Sequence, residues 1–400
     1  MSEIKVNSIK GVGASTAAIT VNNSDGTCAA NLSNRQNRNL VINGAMQVAQ
    51  RGTSSTSGGY QTVDRFKAFW SGTDEALTQA QVDVASGTTP YTSGFRKALK
   101  VTNGNQTSGA GAADYVIIRT ILEAQDIANS GWNYVSSSSN ITLSFWVKSS
   151  VAQNFYGTVH TKDSTEFVYR FETGSLSADT WTKITKTIPG NNNLTFNNDN
   201  GEGLRINIFP FFGTDYTASV SLNAWFAYSL STQTPDSTST WYTTNDATLE
   251  ITGVQLEVGS VATDFEHRSF GQELALCQRY FYEHSGGNPT VNGSNSSTPD
   301  TVLGTGACQS TASISSDIQL PVPMRAVPTL YSTVTGSTRY RLNSAGANTN
   351  SGSDPVIWTG GSTHSFVQVD LAGFSGLSGG QAGTVRRYQG SGILGFQAEL

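Results

Sequence analysis

Alternation of apolar and polar side chains dominates the chain between about residues 60 and 266. In the run ITLSFWV, Ile141, Leu143, Phe145 and Val147 share one face, while Thr142, Ser144 and Trp146 share the other. Val220, Leu222, Ala224, Phe226 and Tyr228 alternate likewise with Ser221, Asn223 and Trp225, and Ile206 and Ile208 repeat the pattern in RINIF. A period of two over this length predicts half-buried strands, not helices. Phe145 and Phe226 are therefore expected in the core. Short, evenly spaced strands between polar loops predict an antiparallel jelly-roll sandwich.

The stretch from Thr248 to His284 changes texture twice. Leu249 and Ile251 lie on one face, but Val254, Leu256 and Val258 follow in the opposite phase. A one-residue slip at Gly253 predicts a β-bulge. Beyond Gly259, Ser269 and Gln272 fit a capping box, and Glu273 suits the first turn of a helix. Phe270, Leu274, Cys277 and Phe281 then form one helical stripe, ended by Gly286 and Gly287. From 287 onward, brief apolar runs such as IQLPVP, VPTLY, SFVQVDLAGF and GILGF predict a second module of smaller strands. Residues 1–45 alternate only weakly, with a turn signal at NNSDG, and bury little alone. The predicted fold class is mainly β: an N-terminal segment (1–45), a central jelly-roll β-sandwich (46–266), a short linking helix (267–286) and a C-terminal small β module (287–400).

Composition narrows the setting. Charged residues make up 13% of the 400, about half the usual share, so the surface is built from uncharged polar side chains and glycine. Such surfaces are common on extracellular and virion β-proteins and rare on cytosolic enzymes. Aromatic residues at 10% can fill a sizeable core, which excludes a disordered chain. A net charge of −5 argues against nucleic acid as a partner. Cys28, Cys277 and Cys308 lack metal-ligand spacing, so neither a disulfide nor a zinc framework is expected. The opening MSEIKVNSIKGVG is polar where a signal peptide is apolar, and no run approaches the ~18 apolar residues of a membrane span. No membrane insertion is expected.

Candidate chemistry is sparse, and no cofactor or metal is expected. GVGAST at 11–16 lacks the third glycine and the helix of a dinucleotide loop, and reads as linker. His160, Asp163 and Glu166 stand three apart on a strand-loop-strand segment, where such spacing does not converge, so they read as a solvated hairpin. NNDNGEG at 197–203 has no closing carboxylate for an EF-hand, since Ile208 stands there; it reads as an Asn/Gly loop, with a structural calcium as the alternative. Glu166, Glu172 and Asp179 are the carboxylates available for glycan hydrolysis, but no β-helix repeat accompanies them and no catalytic residue is assigned. Aromatic rings in polar stretches suit saccharides, whose C–H faces stack on indole and phenol. Trp132 and Tyr134 in GWNYVSSSS, and Trp241 and Tyr242 in STWYTTND, are the predicted stacking residues, with Tyr156 and Trp358 weaker candidates. Edge-of-core packing is the competing and commoner role for such rings.

Five stretches resemble tail fibres and related receptor-binding proteins of tailed bacteriophages: MSEIKVNSIKGVG, NLVINGAMQVAQRGT (39–53), YQTVDRFKAFW (60–70), GVQLEVGSVATDFEHRSFGQELALCQRYF (253–281) and LPVPMRAVPTL (320–330). The N-terminal style is similar to short fibres of podoviruses infecting marine cyanobacteria, and the central sandwich is similar to jelly-roll carbohydrate-binding modules. Residues 331–400 share only general texture. The resemblance implies a homotrimer, an N-terminal anchor on a phage tail protein, and a distal end that binds host cell-surface polysaccharide. It places the protein in the virion tail after assembly in the host cytoplasm. In that trimer, helices from three chains would meet with Phe270, Leu274, Cys277 and Phe281 facing inward. The expected function is a non-hydrolytic receptor-binding fibre reading a neutral glycan; a purely structural fibre or decoration protein and a glycan depolymerase are the alternatives.

Overall fold

The computed structural model describes residues 6–10, 12, 19–21, 28–30, 37–285, 301–344, 347–388 and 392–400. The NNSDG turn, most of GVGAST, and Gly286 and Gly287 lie outside the described residues. The protein is mainly β. Strands Ser8–Ile9, Ile19–Val21 and Cys28–Ala30 form a small antiparallel sheet near the N-terminus.

Two six-stranded antiparallel sheets form the central sandwich. The first runs in the order Trp225–Ala227, Phe167–Ser175, Asn154–Thr161, Glu202–Phe212, Tyr115–Glu123, Phe66–Ser71. The second runs Thr182–Pro189, Asn140–Ser149, Thr248–Val258, Lys97–Thr102, Thr78–Asp83, Ser54–Ser55. The chain crosses repeatedly between them, as the jelly-roll expectation requires. Period-two patterning sets the core: Ile141, Leu143, Phe145 and Val147 from the second sheet meet Leu204, Ile206 and Ile208 from the first. Val41 and Met46 belong to the same core, so the segment from 39 to 46 is bound into the sandwich.

The bulge falls where the phase slips. Register shifts between Thr252 and Gln255, which lets Leu249, Ile251, Val254 and Leu256 all reach the core. Gly253 has φ +64, and a side chain there would strike the Phe95 ring. The bulge also receives the NLVINGAM segment: Val254 N–H donates to Gly44 O at 2.9 Å, and Leu40 N–H to Leu256 O at 2.9 Å.

Two expectations need correction. The run from Val220 to Tyr228 forms strand only at Trp225–Ala227, because Asn223 turns back with φ 59 and donates its N–H to Arg170 O. Phe226 accordingly lies half-buried on the outside of the first sheet, beneath Arg170, and not in the core. The helix has its capping box at Ser269 and Gln272 but spans only Phe270–Gln278. Residues Phe281–Ser285 instead form a strand against Leu394–Gln397, where a long backbone partner outcompetes one more helical turn.

The C-terminal module packs a seven-stranded sheet, in the order Ala347–Ser351, Tyr340–Ser344, Ala382–Arg387, Thr301–Cys308, Ile314–Gln319, Phe366–Leu371, Val356–Ile357, against the three strands Phe281–Ser285, Leu394–Gln397 and Thr329–Ser332. Cys277 and Cys308 are free, buried thiols.

A buried polar network joins this module to the sandwich. Gln50 Nε2 donates to both Asp64 Oδ2 and Phe281 O, and Gln50 N–H donates to Asp64 Oδ1 at 3.0 Å. Burial pushes the Asp64 carboxyl from 3.8 up to about 6, although Arg51 and the Gln50 bonds pull it down. A carboxyl raised in the fold binds its proton more tightly there than in the unfolded chain. Its contribution to stability therefore falls as pH rises from about 4 to 6, by about 3 kcal/mol. Urea titrations should show wild type losing that much more than Asp64→Asn between pH 4 and 7; parallel pH profiles would contradict the shift.

Candidate functional site

Burial decides the fate of the sequence candidates. Trp132 is 3% exposed and Trp241 and Tyr242 are 0% exposed, so none offers a ring face to a ligand. Trp132 is wedged against Phe196 and Tyr134, with Nε1–H donating to Ser139 O at 3.2 Å. Tyr134 is half-buried and packs edge-on against Phe196. Trp241 and Tyr242 plug the sandwich core, Tyr242 stacking on Phe211 at 4.4 Å. Packing, not stacking on sugar, explains the three buried rings, and Tyr134 stands half-buried beside them.

The proposed trimer stripe is also divided. Cys277 and Phe281 are buried within their own chain; Leu274 is half-buried and Phe270 is exposed. The helix turns Glu273, Cys277 and the following Tyr280 inward, the Glu273 carboxylate accepting Asn43 N–H. Cys277 and Phe281 are therefore unavailable to a neighbouring chain.

His160, Asp163 and Glu166 do not converge. His160 Nε2 lies 2.7 Å from Glu166 Oε2 and its ring stacks on Tyr228, whereas Asp163 accepts two bonds from Asn197. Burial pushes His160 down to about 4 against the pull of Glu166, so the ring is neutral at pH 7. Among the described residues no group of three His, Cys, Asp or Glu is placed to hold a metal ion. Glu166 precedes strand Phe167–Ser175 and Glu172 lies six residues on, roughly 20 Å away along an extended chain. That is too far for a glycosidase pair, whose carboxylates stand about 5–10 Å apart.

The outer face of the first sheet carries the most distinctive chemistry. Alternation that sends Leu204, Ile206 and Ile208 inward sends Arg205, Asn207 and Phe209 outward. Lys67, Arg119, Asn207, Thr158 and Arg170 stand directly opposite one another across five strands. Arg119 Nε donates to Asn207 Oδ1 at 2.6 Å, and Asn207 Nδ2 donates to Thr158 Oγ1 at 2.9 Å. Arg170 donates to Thr232 O and Gln233 O, holding the segment after strand Trp225–Ala227 over that end of the row.

Beside this polar row lies an aromatic patch separate from the sandwich core. Ile117, Phe209 and Phe212 form its buried floor, and Phe69, Tyr115, Tyr156 and Tyr216 stand half-buried around them. Phe209 stacks on Phe212 at 4.2 Å; Tyr115 meets Phe69, Phe212 and Tyr216 edge-on. The bulge between Ile208 and Phe211 makes this possible, because it re-phases the strand so that Phe211 enters the core while Phe212 joins the patch.

Cations border the rings. Arg119 lies 4.9 Å from the Phe69 ring, and Lys67 Nζ lies 4.9 Å from the Tyr60 ring and donates to Leu400 O. Burial and the like charge of Arg119 push Lys67 down to about 8; burial and Arg205 push Arg119 down to about 10. Arg205 is neutralised by Glu202, but among the described residues neither Lys67 nor Arg119 pairs with a side-chain carboxylate. Half-exposed rings flanked by such donors present an apolar surface with polar edges. The sequence signal was the occurrence of aromatics in the nominally polar phase of FKAFW, NFYGTVHT and INIFPFF.

No protein-family model matches the sequence, and no curated protein is similar enough to match it. Among solved structures, an enzymatically active domain of tailspike protein 4 from bacteriophage CBA120 matches 55% of this chain at 10% identity and TM-score 0.29. The chain spans about a fifth of that protein, 21%. A family 4 carbohydrate-binding module matches 54% of this chain and 98% of its own at 11% identity and TM-score 0.26. The N-terminal cellulose-binding domain of Cellulomonas fimi β-1,4-glucanase C matches 54% and 99%, at 13% identity and TM-score 0.25. Likeness this distant leaves function to be argued from the chain's own residues.

Proposed function

We propose that the chain is a phage tail-fibre protein that binds a host-surface polysaccharide on the outer face of its first sheet and does not hydrolyse it. The observation that carries this reading is the aromatic patch of Phe69, Tyr115, Tyr156 and Tyr216 beside the cationic donors Lys67 and Arg119. Sugar C–H faces stack on the rings, and the cations donate to hydroxyls or carboxylates. Single sites of this kind bind weakly, because each hydroxyl bond replaces one to water. Assembly as a homotrimer, with several fibres on a virion anchored through their N-terminal segments, raises the effective concentration and converts weak contacts into firm adhesion. A trimer contact would use exposed groups such as Phe270, and not Cys277 or Phe281.

The test is binding of purified surface polysaccharide from susceptible cells. Measured well below the melting transition, Tyr156→Ala and Tyr115→Ala should each weaken binding roughly three- to tenfold, the scale of one aromatic contact; Tyr115→Ala also loses its three ring contacts within the patch and should melt at a lower temperature. No reducing sugar should be released. Unchanged affinity in both variants would remove the outer face from recognition and favour a purely structural fibre.

A further inference from the structure

Trp358 is the most exposed of the large aromatic side chains described, at 55%. It follows edge strand Val356–Ile357 of the C-terminal sheet and is fixed by its backbone. Its N–H donates to Gln368 O at 2.9 Å, while its carbonyl accepts from Gly361 N–H, Ser362 N–H and Ser362 Oγ. This closes residues 358–362 into a tight turn beneath the indole.

The floor of that turn is made of glycine. A Cβ at Gly360 would lie 3.4 Å from Trp358 Nε1, and one at Gly361 would lie 2.8 Å from Cε3. The Nε1–Cε2–Cζ2 edge of the indole is thus the part nearest Gly360, and the Cε3–Cζ3 edge the part nearest Gly361. The ring is carried beside the dipeptide, and more than half of the residue stays open to solvent. Burying an indole ordinarily stabilises a fold at about 25 cal/mol per Å², and paired glycines cost backbone entropy. Here two glycines support a ring that stays in the open.

Polar partners stand beside it. The same Cβ at Gly361 would lie 2.4 Å from Gln368 Oε1, so the Gln368 amide and the indole are neighbours. Ile318, Val367 and Val369 turn into the module core, which turns Asp317 and Gln368 outward. These two are directly opposite each other on adjacent strands, and Asp317 is exposed. Two positions along the strand from Gln368, Asp370 is engaged by Ser315 Oγ, leaving Asp317 as the open carboxylate beside the amide.

We infer that Trp358, Gln368 and Asp317 form a second saccharide site, on the C-terminal module, which takes a hydroxyl-rich pyranose. The C–H face of the sugar stacks on the solvent side of the indole. The Gln368 amide and the Asp317 carboxylate bond hydroxyls at the ring's edge. This site shares no residue with the outer face of the sandwich, and it stands or falls separately.

The experiment uses the full chain on an array of gluco-, galacto-, manno- and uronic-acid oligosaccharides, with wild type, Trp358→Ala, Asp317→Ala and Tyr156→Ala compared. Trp358→Ala is expected to lose about tenfold in affinity or more for a subset of glycans that Tyr156→Ala still binds. Asp317→Ala should weaken the same subset, which non-specific adhesion to an exposed indole would not do. Melting temperatures should be unchanged, since both side chains are exposed. Wild-type affinity in Trp358→Ala, or no array glycan bound by wild type, overturns the site. Loss in Tyr156→Ala alone would leave the sandwich reading intact while refuting this one.

Discussion

Trp241→Ala is expected to destabilise the protein by about 3–5 kcal/mol, the cost of removing a large buried aromatic and leaving a cavity. Trp241 is wholly buried in the sandwich core. The short helix Thr240–Thr243 that carries it is pinned from several sides. Gln153 Oε1 accepts Trp241 N–H at 2.9 Å, Asn103 Nδ2 donates to Tyr242 O at 2.6 Å, and Tyr242 Oη donates to Asp114 Oδ2 at 3.1 Å. These bonds hold the backbone in place, so the site cannot collapse to fill the hole. For a sandwich of this size each kcal/mol is worth about 2–4 °C, so calorimetry should show a fall on the order of 10 °C. Polysaccharide binding measured well below the transition should be unchanged. Trp241 Nε1 is buried without a hydrogen-bond partner among the described residues, so Trp241→Phe keeps most of the packing, sheds that cost and should lose much less. Lost binding with an unchanged melting temperature would instead return Trp241 to the role of ligand contact.

STWYTTND is polar on both sides of the aromatic pair and reads as an exposed loop. The groups that satisfy its backbone, Asn103 and Gln153, lie some 90 to 140 positions earlier, beyond any local window. Where signal and cause were both local, the reading succeeded. The alternation in ITLSFWV gave a core strand, the slip at Gly253 gave a bulge, and Ser269 with Gln272 gave a capping box. Phe281 failed for the same reason as Trp241, because its strand partner Gln397 is far away in sequence. The outer face was legible only in part. Tyr156 stood out as an aromatic, but its neighbours Phe69, Tyr115 and Phe209 come from three other strands. Only the strand order assembles them.

Glu399→Gln is expected to loosen the joint between the two modules, at a cost of about 3–5 kcal/mol, because it leaves buried charge uncompensated. Glu399 follows strand Leu394–Gln397 and reaches into the sandwich, where Oε1 accepts Arg51 Nη1 at 3.1 Å and Oε2 accepts Arg65 Nη1. Both arginine side chains are 1% exposed, and their planes lie over the rings of Phe281 and Tyr280 at 3.6 and 3.4 Å. Arg65 Nη2 also donates to Ile121 O at 2.6 Å, but the Nε atoms of both arginines are buried without a partner among the described residues. Burial pulls the Arg65 guanidinium down, yet Glu399 and the flanking tyrosines hold it above its ordinary value. The carboxylate is thus what makes two buried cations tolerable. An amide in its place would keep the shape and offer one weak acceptor, so the loss would be electrostatic and not steric. Hydrogen exchange should rise in Leu394–Gln397 and in its neighbours Phe281–Ser285 and Thr329–Ser332, which pair with it, while the sandwich strands Asn140–Ser149 and Glu202–Phe212 keep their protection. The Asp64 titration would change as well, since Glu399 is among the charges that raise it. Removing one of the two cations with Arg51→Met in the Glu399→Gln background restores the cluster's original charge balance and should recover part of the loss. Equal protection in wild type and Glu399→Gln would mean that the arginine–aromatic stacking alone holds the modules together.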